Sequence, residues 1–174
     1  MARPTIAPTG NEITWPDSEI IVSKTDTKGI ITYANRTFAK VSGYSVRELI
    51  GQNHNLIRHP EMPQSVFKFL WDNISQGSEL FAYVVNQARN GDHYWVLAHV
   101  TPNFDSDGKI IGYHSSRRVP KPEAVEAAKG LYKIMLDEER KHSNPKEGMA
   151  AATQILVGLL EEKKVEYSQF VLSL

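Results

Sequence analysis

Two runs rich in β-branched residues, "EIIVSKTD" and "GIITYAN", are separated by "TKG", and this pattern predicts an antiparallel hairpin turning on Gly29. "NRTFAKVSG" then predicts a short helix capped by Asn35, with Phe38 and Val41 turned inward and Gly43 as its stop. "SVRELIG" repeats that design, with Ser45 and Glu48 as a capping box and Gly51 at the end. Further on, "QSVFKFLWDNISQG" aligns Val66, Phe67, Leu70, Trp71 and Ile74 on one helical stripe that stops at Gly77. Three strands follow, "ELFAYVVNQA", "DHYWVLAHVTPNF" and "KIIGYHSSRRV", joined by the turn signals "RNG" and "DSDG". Residues 18–119 therefore read as an α+β domain: a five-stranded antiparallel sheet, short helices over one face, and a cavity between the two layers.

The pattern changes on both sides of that domain. Residues 1–17, rich in Pro, Thr and Gly, predict a flexible lead-in with Trp15 docking on the core. Residues 120–174 predict a helical extension. Its first helix has Pro122 near the start and a stripe of Val125, Ala128, Leu131, Tyr132 and Met135. A second starts at Asn144 and Pro145 and buries Met149, Ile155, Leu156, Leu159 and Leu160; a last segment carries Tyr167, Phe170, Val171 and Leu174. Such stripes must pack on something: the sheet, a second copy in a homodimer, or another protein.

Composition narrows the chemistry. Twenty basic and twenty acidic residues give zero formal net charge, which argues against a nucleic-acid partner and against a polybasic membrane anchor. With no cysteine, disulfides and thiolate chemistry are excluded, so any redox chemistry must come from a cofactor. The start lacks an apolar signal region and no apolar run approaches the ~20 residues of a spanning helix. A soluble, cytoplasmic protein without membrane insertion is the expectation. No phosphate loop, nucleophile elbow or paired carboxylates appear, so the reading is not an enzyme.

"GQNHNLIRHPEMP", residues 51–63, concentrates hydrogen-bonding side chains beside Leu56 and Ile57. Three readings compete: a metal site from His54 and His59, an anion or cofactor pocket, and an ordinary capped surface helix. Read as a helix, it places His54 and Arg58 on one face and Asn55 and His59 on another. The metal reading is weak, because helical ligand pairs sit three or four residues apart and these histidines are five apart. One histidine facing an apolar cavity would still suffice as a haem ligand. Asn86 stands within a strand, where asparagine is disfavoured, so either a ligand contact or a backbone bond must hold it. Trp71 is a core residue by its spacing, with cofactor lining as an added role. Tyr94 and Trp95 alternate, so only one of them faces the cavity.

"ITYANRTFAKVSGYSVRELIGQNHNLIRHPEMP", with "NGDHYWV" and "IIGYHSSRR", resembles the PAS sensor domains, and among them the flavin-binding type of bacterial aerotaxis receptors. The helical tail ending in "FVLSL" is similar to the stand-alone PAS proteins of two-part energy-taxis systems. The resemblance implies FAD as cofactor, with FMN or haem b as alternatives. It also implies a redox signal relayed to the cytoplasmic region of a membrane chemoreceptor, engaged by the outer face of the last two strands. It places Asn35, His54, Arg58, His59, Glu61, Trp71, Asn86 and His114 around the cofactor. In that reading Arg58 and His59 bond ribityl or diphosphate oxygens, and Glu61 accepts from adenosine hydroxyls or from Arg58. "GQNH" stands where blue-light (LOV) domains carry the cysteine of their photoadduct, so adduct chemistry is excluded here. Asn86 matches an asparagine that contacts the flavin ring, whereas Val96 and His114 replace a second asparagine and a glutamine. Leu80 replaces a tryptophan of the aerotaxis receptors. The alternatives to a redox sensor are a haem-based gas sensor and a cofactor-free interaction module.

Overall fold

In the computed structural model, which describes residues 6–174, the strands are β1 (Ile21–Thr25), β2 (Ile31–Ala34), β3 (Leu80–Gln87), β4 (His93–Phe104) and β5 (Ile110–Arg118). They form one antiparallel sheet in the order β2-β1-β5-β4-β3. Side-chain alternation splits it into two faces. Over one face lie α1 (Arg36–Ser42), α2 (Val46–Leu49), a single 3-10 turn at His54–Ile57, and α3 (Gln64–Ile74). The expected caps are present: Asn35 accepts from the Phe38 amide, and Ser45 and Glu48 close a capping box.

The tail forms α4 (Pro122–Lys141), α5 (Pro145–Lys163) and α6 (Tyr167–Leu172). It packs on the sheet and on α3. Trp95, on the face turned away from the cavity, stacks on Tyr132, whose Oη donates to the Tyr83 carbonyl at 2.6 Å. Tyr167 meets Phe69 of α3 edge-on at 4.9 Å, and α5 lies against both α3 and α4. Most of the tail's apolar stripe thus shares one continuous core with the sheet, but Met149 and Ile155, expected to be buried, are half-buried outside it.

Three local expectations are corrected. The lead-in is docked from residue 6 onward: the Ile13 and Thr9 amides donate to the His93 and Gly91 carbonyls, and the His93 amide donates to Asn11. Trp15 is buried edge-on to Tyr94. The approach is possible because Gly91 has φ 92° and no side chain; a Cβ there would lie 2.5 Å from the Ala7 carbonyl oxygen. Residues 1–5 of the expected lead-in lie outside the described residues.

"GQNHNLIRHPEMP" is not a helix long enough to have faces four residues apart. Asn53 caps its single turn, and by Arg58 the backbone is extended at φ −74°, ψ 121° and bridges to Asn86. Pro60 keeps the helix from resuming, since a proline disfavours helical geometry in the residue before it, here His59. Trp71, expected in the core, is 38 % exposed. It stands at the margin of the α3 stripe, edge-on to Tyr113 at 5.3 Å and against Gly29.

Candidate functional site

Between the sheet and α3 lies a cavity of about 270 Å³. Its floor follows from strand alternation: Ser23 and Thr25 from β1, Tyr113, Ser115 and Arg117 from β5, Ala98 and Val100 from β4, and Leu80, Ala82, Val84 and Asn86 from β3. Phe67, Leu70, Trp71 and Ile74 of α3 form the roof, while Lys28, Gly29, Asn53 and Arg58 contribute from the loops and His54 and Asn55 from the 3-10 turn.

The charge distribution is one-sided. Lys28, Arg58 and Arg117 line the cavity, and among the described residues no Asp or Glu does. Arg117 is 4 % exposed. Its Nη2 donates to Ser23 Oγ at 2.6 Å and lies 2.7 Å from His54 Nε2; its Nη1 is buried with no hydrogen-bond partner. Burial pulls its pKa down to about 10, so it stays charged near neutrality. His54 is pushed down to about 3, first by burial and then by the Arg117 cation. The imidazole is therefore neutral, its Nε2 accepts from Arg117, and its proton sits on Nδ1. Phe38 stacks beside the imidazole at 5.8 Å and also faces the Arg117 guanidinium at 5.1 Å. Arg58 lies over the Phe67 ring at 4.2 Å, and Asn86 is 3 % exposed.

Of the residues singled out in the sequence, His54, Arg58, Trp71 and Asn86 converge on this cavity. The other four do not line it. Asn35 spends its side chain on backbone, with Oδ1 accepting from Val22 and Phe38 and Nδ2 donating to Ile20. His59 is turned toward His93, and its Nδ1 accepts from the Glu61 amide, a geometry set by the Pro60 turn. Burial lowers its pKa. Glu61 is exposed on that turn. His114 belongs to the opposite sheet face, because Tyr113 and Ser115 on either side of it face inward. Its pKa is lowered by burial and then by Lys24, His99 and Arg117. Tyr94 takes the cavity side of β4 and Trp95 the tail side, while Val96 is wholly buried. Arg117 went unnoticed in the sequence. Its signal was period two: counting from Tyr113 puts the first arginine of "SSRR" on the buried face.

Among the described residues no cluster of three or more His, Asp or Glu could hold a metal ion, and no helix is long and apolar enough to cross a membrane. What the site offers is a mainly apolar cavity with three cations in its lining and a buried carboxamide. It suits a planar, electron-rich or anionic group with hydrogen-bonding edges.

Comparison with known proteins agrees with the architecture. The family model of the PAS fold matches residues 31–117. The aerotaxis receptor of Escherichia coli (strain K12) is 43 % identical over 119 residues, which cover 68 % of this chain and 23 % of the receptor. The nitrogen fixation regulatory protein of Klebsiella pneumoniae is 31 % identical over 101 residues, 58 % of this chain and 20 % of that protein. The chain thus spans less than a quarter of either relative. Among solved structures, the dark state of the blue-light photoreceptor Aureochrome1 LOV superposes with a TM-score of 0.58 at 23 % identity, over 66 % of this chain and 85 % of that one. With its family model, its sheet order and its cavity in agreement, this chain belongs to the PAS family.

Proposed function

We propose that this chain is a redox or energy sensor that holds FAD in the cavity under α3 and passes the cofactor's redox state to the cytoplasmic region of a membrane chemoreceptor. The observation that carries this reading is Arg117, a buried cation with no acid among the cavity's described lining residues and with Nη1 lacking a hydrogen-bond partner. A buried charge left in that state is costly, and an electron-rich ligand edge relieves the cost. Asn86 adds a donor and an acceptor that match the pyrimidine edge of a flavin.

The size agrees. About 270 Å³ is near the lower end of ligand cavities, which begin at roughly 300 Å³, and suits a fused ring but not a whole dinucleotide. The remainder of FAD would extend to Lys28, Asn53, Asn55 and Arg58, whose cations suit phosphate oxygens. A flavin supplies reversible electron transfer when bound. The chain's own contribution is to fix Arg117 where added negative charge is stabilised, and to keep His54 neutral so that it does not compete as a second cation.

FMN would use the same ring contacts and differ only at the mouth. Haem b is less well supported, since His54 is the only histidine among the described lining residues and its Nε2 already faces a guanidinium. A cofactor-free module gives no role to the cations. For output, the tail covers the sheet around Trp95 and Tyr83, leaving Lys24 and Arg118 exposed and His114 and Ser116 half-buried on the same outer face. The tail takes part of β4's share of the face expected to engage the receptor, so the docking surface for a cytoplasmic receptor segment shifts to the remaining face on β5 and β1. Relaying a signal requires oxidised and reduced forms to bind the partner unequally.

The test is the absorption spectrum of the purified protein with mass analysis of the released cofactor. Two flavin bands and the mass of FAD support the proposal. The mass of FMN replaces the cofactor, a sharp Soret band turns the reading to haem, and colourless protein from flavin-replete cells overturns it.

A further inference from the structure

Helix α3, the roof of the cavity, has no cap of its own. Pro63 precedes it without a side-chain hydrogen bond, although the first amides of any helix lack intrahelical partners. The cap comes from the tail. Glu139 of α4 accepts from the Ser65 amide at 2.7 Å and from Ser65 Oγ at 2.6 Å through Oε1, and from the Gln64 amide at 3.2 Å through Oε2. Ser65 is fully buried, and a carboxylate at a helix N-terminus is favoured by the helix dipole as well as by the bonds. Glu139 is itself fixed in place: α5 crosses α4 there, with Gly148 so near that a Cβ would lie 2.6 Å from the Glu139 carbonyl oxygen. From the capped turn, α3 runs on to Phe67 and Trp71, which line the cavity, and Phe67 carries the Arg58 guanidinium on its ring. A second tail contact reaches the floor, where Tyr132 bonds the carbonyl of Tyr83 between the lining residues Ala82 and Val84.

We propose that Glu139 is a positioning residue for the cavity: its cap sets α3 over the ligand, so that ligand binding and docking of the α4–α5 pair form one coupled equilibrium. The coupling is reciprocal. The factor by which loss of the cap weakens ligand binding equals the factor by which ligand strengthens the cap. Only the identity of the ligand used here, FAD, rests on the proposed function.

The experiment uses the full chain as wild type, Glu139→Ala and Glu139→Gln, the last keeping one acceptor oxygen without the charge. In cofactor-stripped protein, Glu139→Ala speeds amide exchange at Gln64 and Ser65 by about tenfold, the usual weight of a helix cap. It also displaces the indole N–H resonance of Trp71, two turns away, and Glu139→Gln restores part of both changes. Loss of protection with an unmoved Trp71 resonance overturns the proposal, because the cap would then be local. Should Glu139→Ala fail to fold, Glu139→Gln is read in the same way. With FAD added to wild type and binding followed by absorbance, exchange across α4 and α5 slows; FAD bound with exchange there unchanged also overturns it. If no FAD binds, the missing absorbance refutes the flavin reading alone, and the stripped-protein arm still decides the role of Glu139.

Discussion

The charge state of His54 makes the site's electrostatics measurable without any ligand. In the folded chain its pKa lies at about 3, against 6.5 for an ordinary imidazole, because burial and the adjacent Arg117 both oppose a proton. Between those two values the unfolded chain binds a proton that the folded chain refuses. Stability must therefore fall as pH falls, starting near the unfolded value. Each pH unit in that window costs about 1.4 kcal/mol per group, so acidification from pH 7 to pH 5 removes about 2 kcal/mol through this one imidazole. The figure hardly depends on how low the folded pKa lies, since pH 5 is above it in any case. His59 and His114 are also shifted downward and act in the same direction, so the total loss is not diagnostic. The diagnostic quantity is the difference between wild type and His54→Gln, which keeps an acceptor for Arg117 but does not titrate. Urea unfolding of cofactor-free protein at both pH values measures it. The wild type should lose about 2 kcal/mol more than the variant. Equal losses would mean that His54 titrates normally, and the buried His54–Arg117 contact would have to be given up.

Other perturbations separate binding from tuning. Arg58→Ala should remove charge-assisted bonds of about 1.5 to 3 kcal/mol to the cofactor's phosphate region, so the purified variant should hold far less flavin at unchanged far-UV circular dichroism. Wild-type flavin content would displace Arg58 from that role. Asn86→Ala should retain part of the flavin and shift its midpoint potential, because the contact is with the ring; unchanged content and potential together would leave Asn86 a structural residue. Gly91→Ala should destabilise the chain by about 1 to 3 kcal/mol in urea unfolding, from its φ of 92° and the collision with the Ala7 carbonyl. No loss would contradict docking of the segment from residue 6 onward.

What the sequence disclosed depended on the range of the signal. The caps at Asn35 and Ser45 and the stop at Gly43 are local chemistry, complete within a few residues, and they formed as the pattern requires. The five-strand order of hydrophobic runs likewise led to the sheet. "GQNHNLIRHPEMP" misled because its polar residues fall four apart, as on a helix face, whereas the chain is already extended at Arg58, and His59 and Glu61 on either side of Pro60 do not line the cavity. Trp71 shares the α3 stripe with Leu70, but a stripe's margin reaches solvent on one side, and only the position of the neighbouring β5 determines which. On β5 itself strand alternation puts Arg117 on the cavity face and His114, three residues earlier, on the opposite one. The docking of α4 on the far side of the sheet joins Tyr132 to Tyr83, 49 positions away, and the cap that Glu139 lends to α3 joins residues 74 and 75 positions apart. No local pattern encodes such a contact.

The central claim is that a flavin lies beside the buried cation of Arg117, and the midpoint potential of the bound cofactor tests it most directly. Spectroelectrochemical titration of wild type and Arg117→Gln compares the same site with and without the charge, the glutamine retaining a donor for Ser23. Removing a cation disfavours addition of electrons, so the variant's midpoint should move to more negative values. A loss of about 1.5 to 3 kcal/mol corresponds to roughly 30 to 60 mV for a two-electron couple. Reversible flavin reduction with that shift is the predicted result. A protein that shows no flavin reduction, or equal midpoints in both proteins, would contradict it.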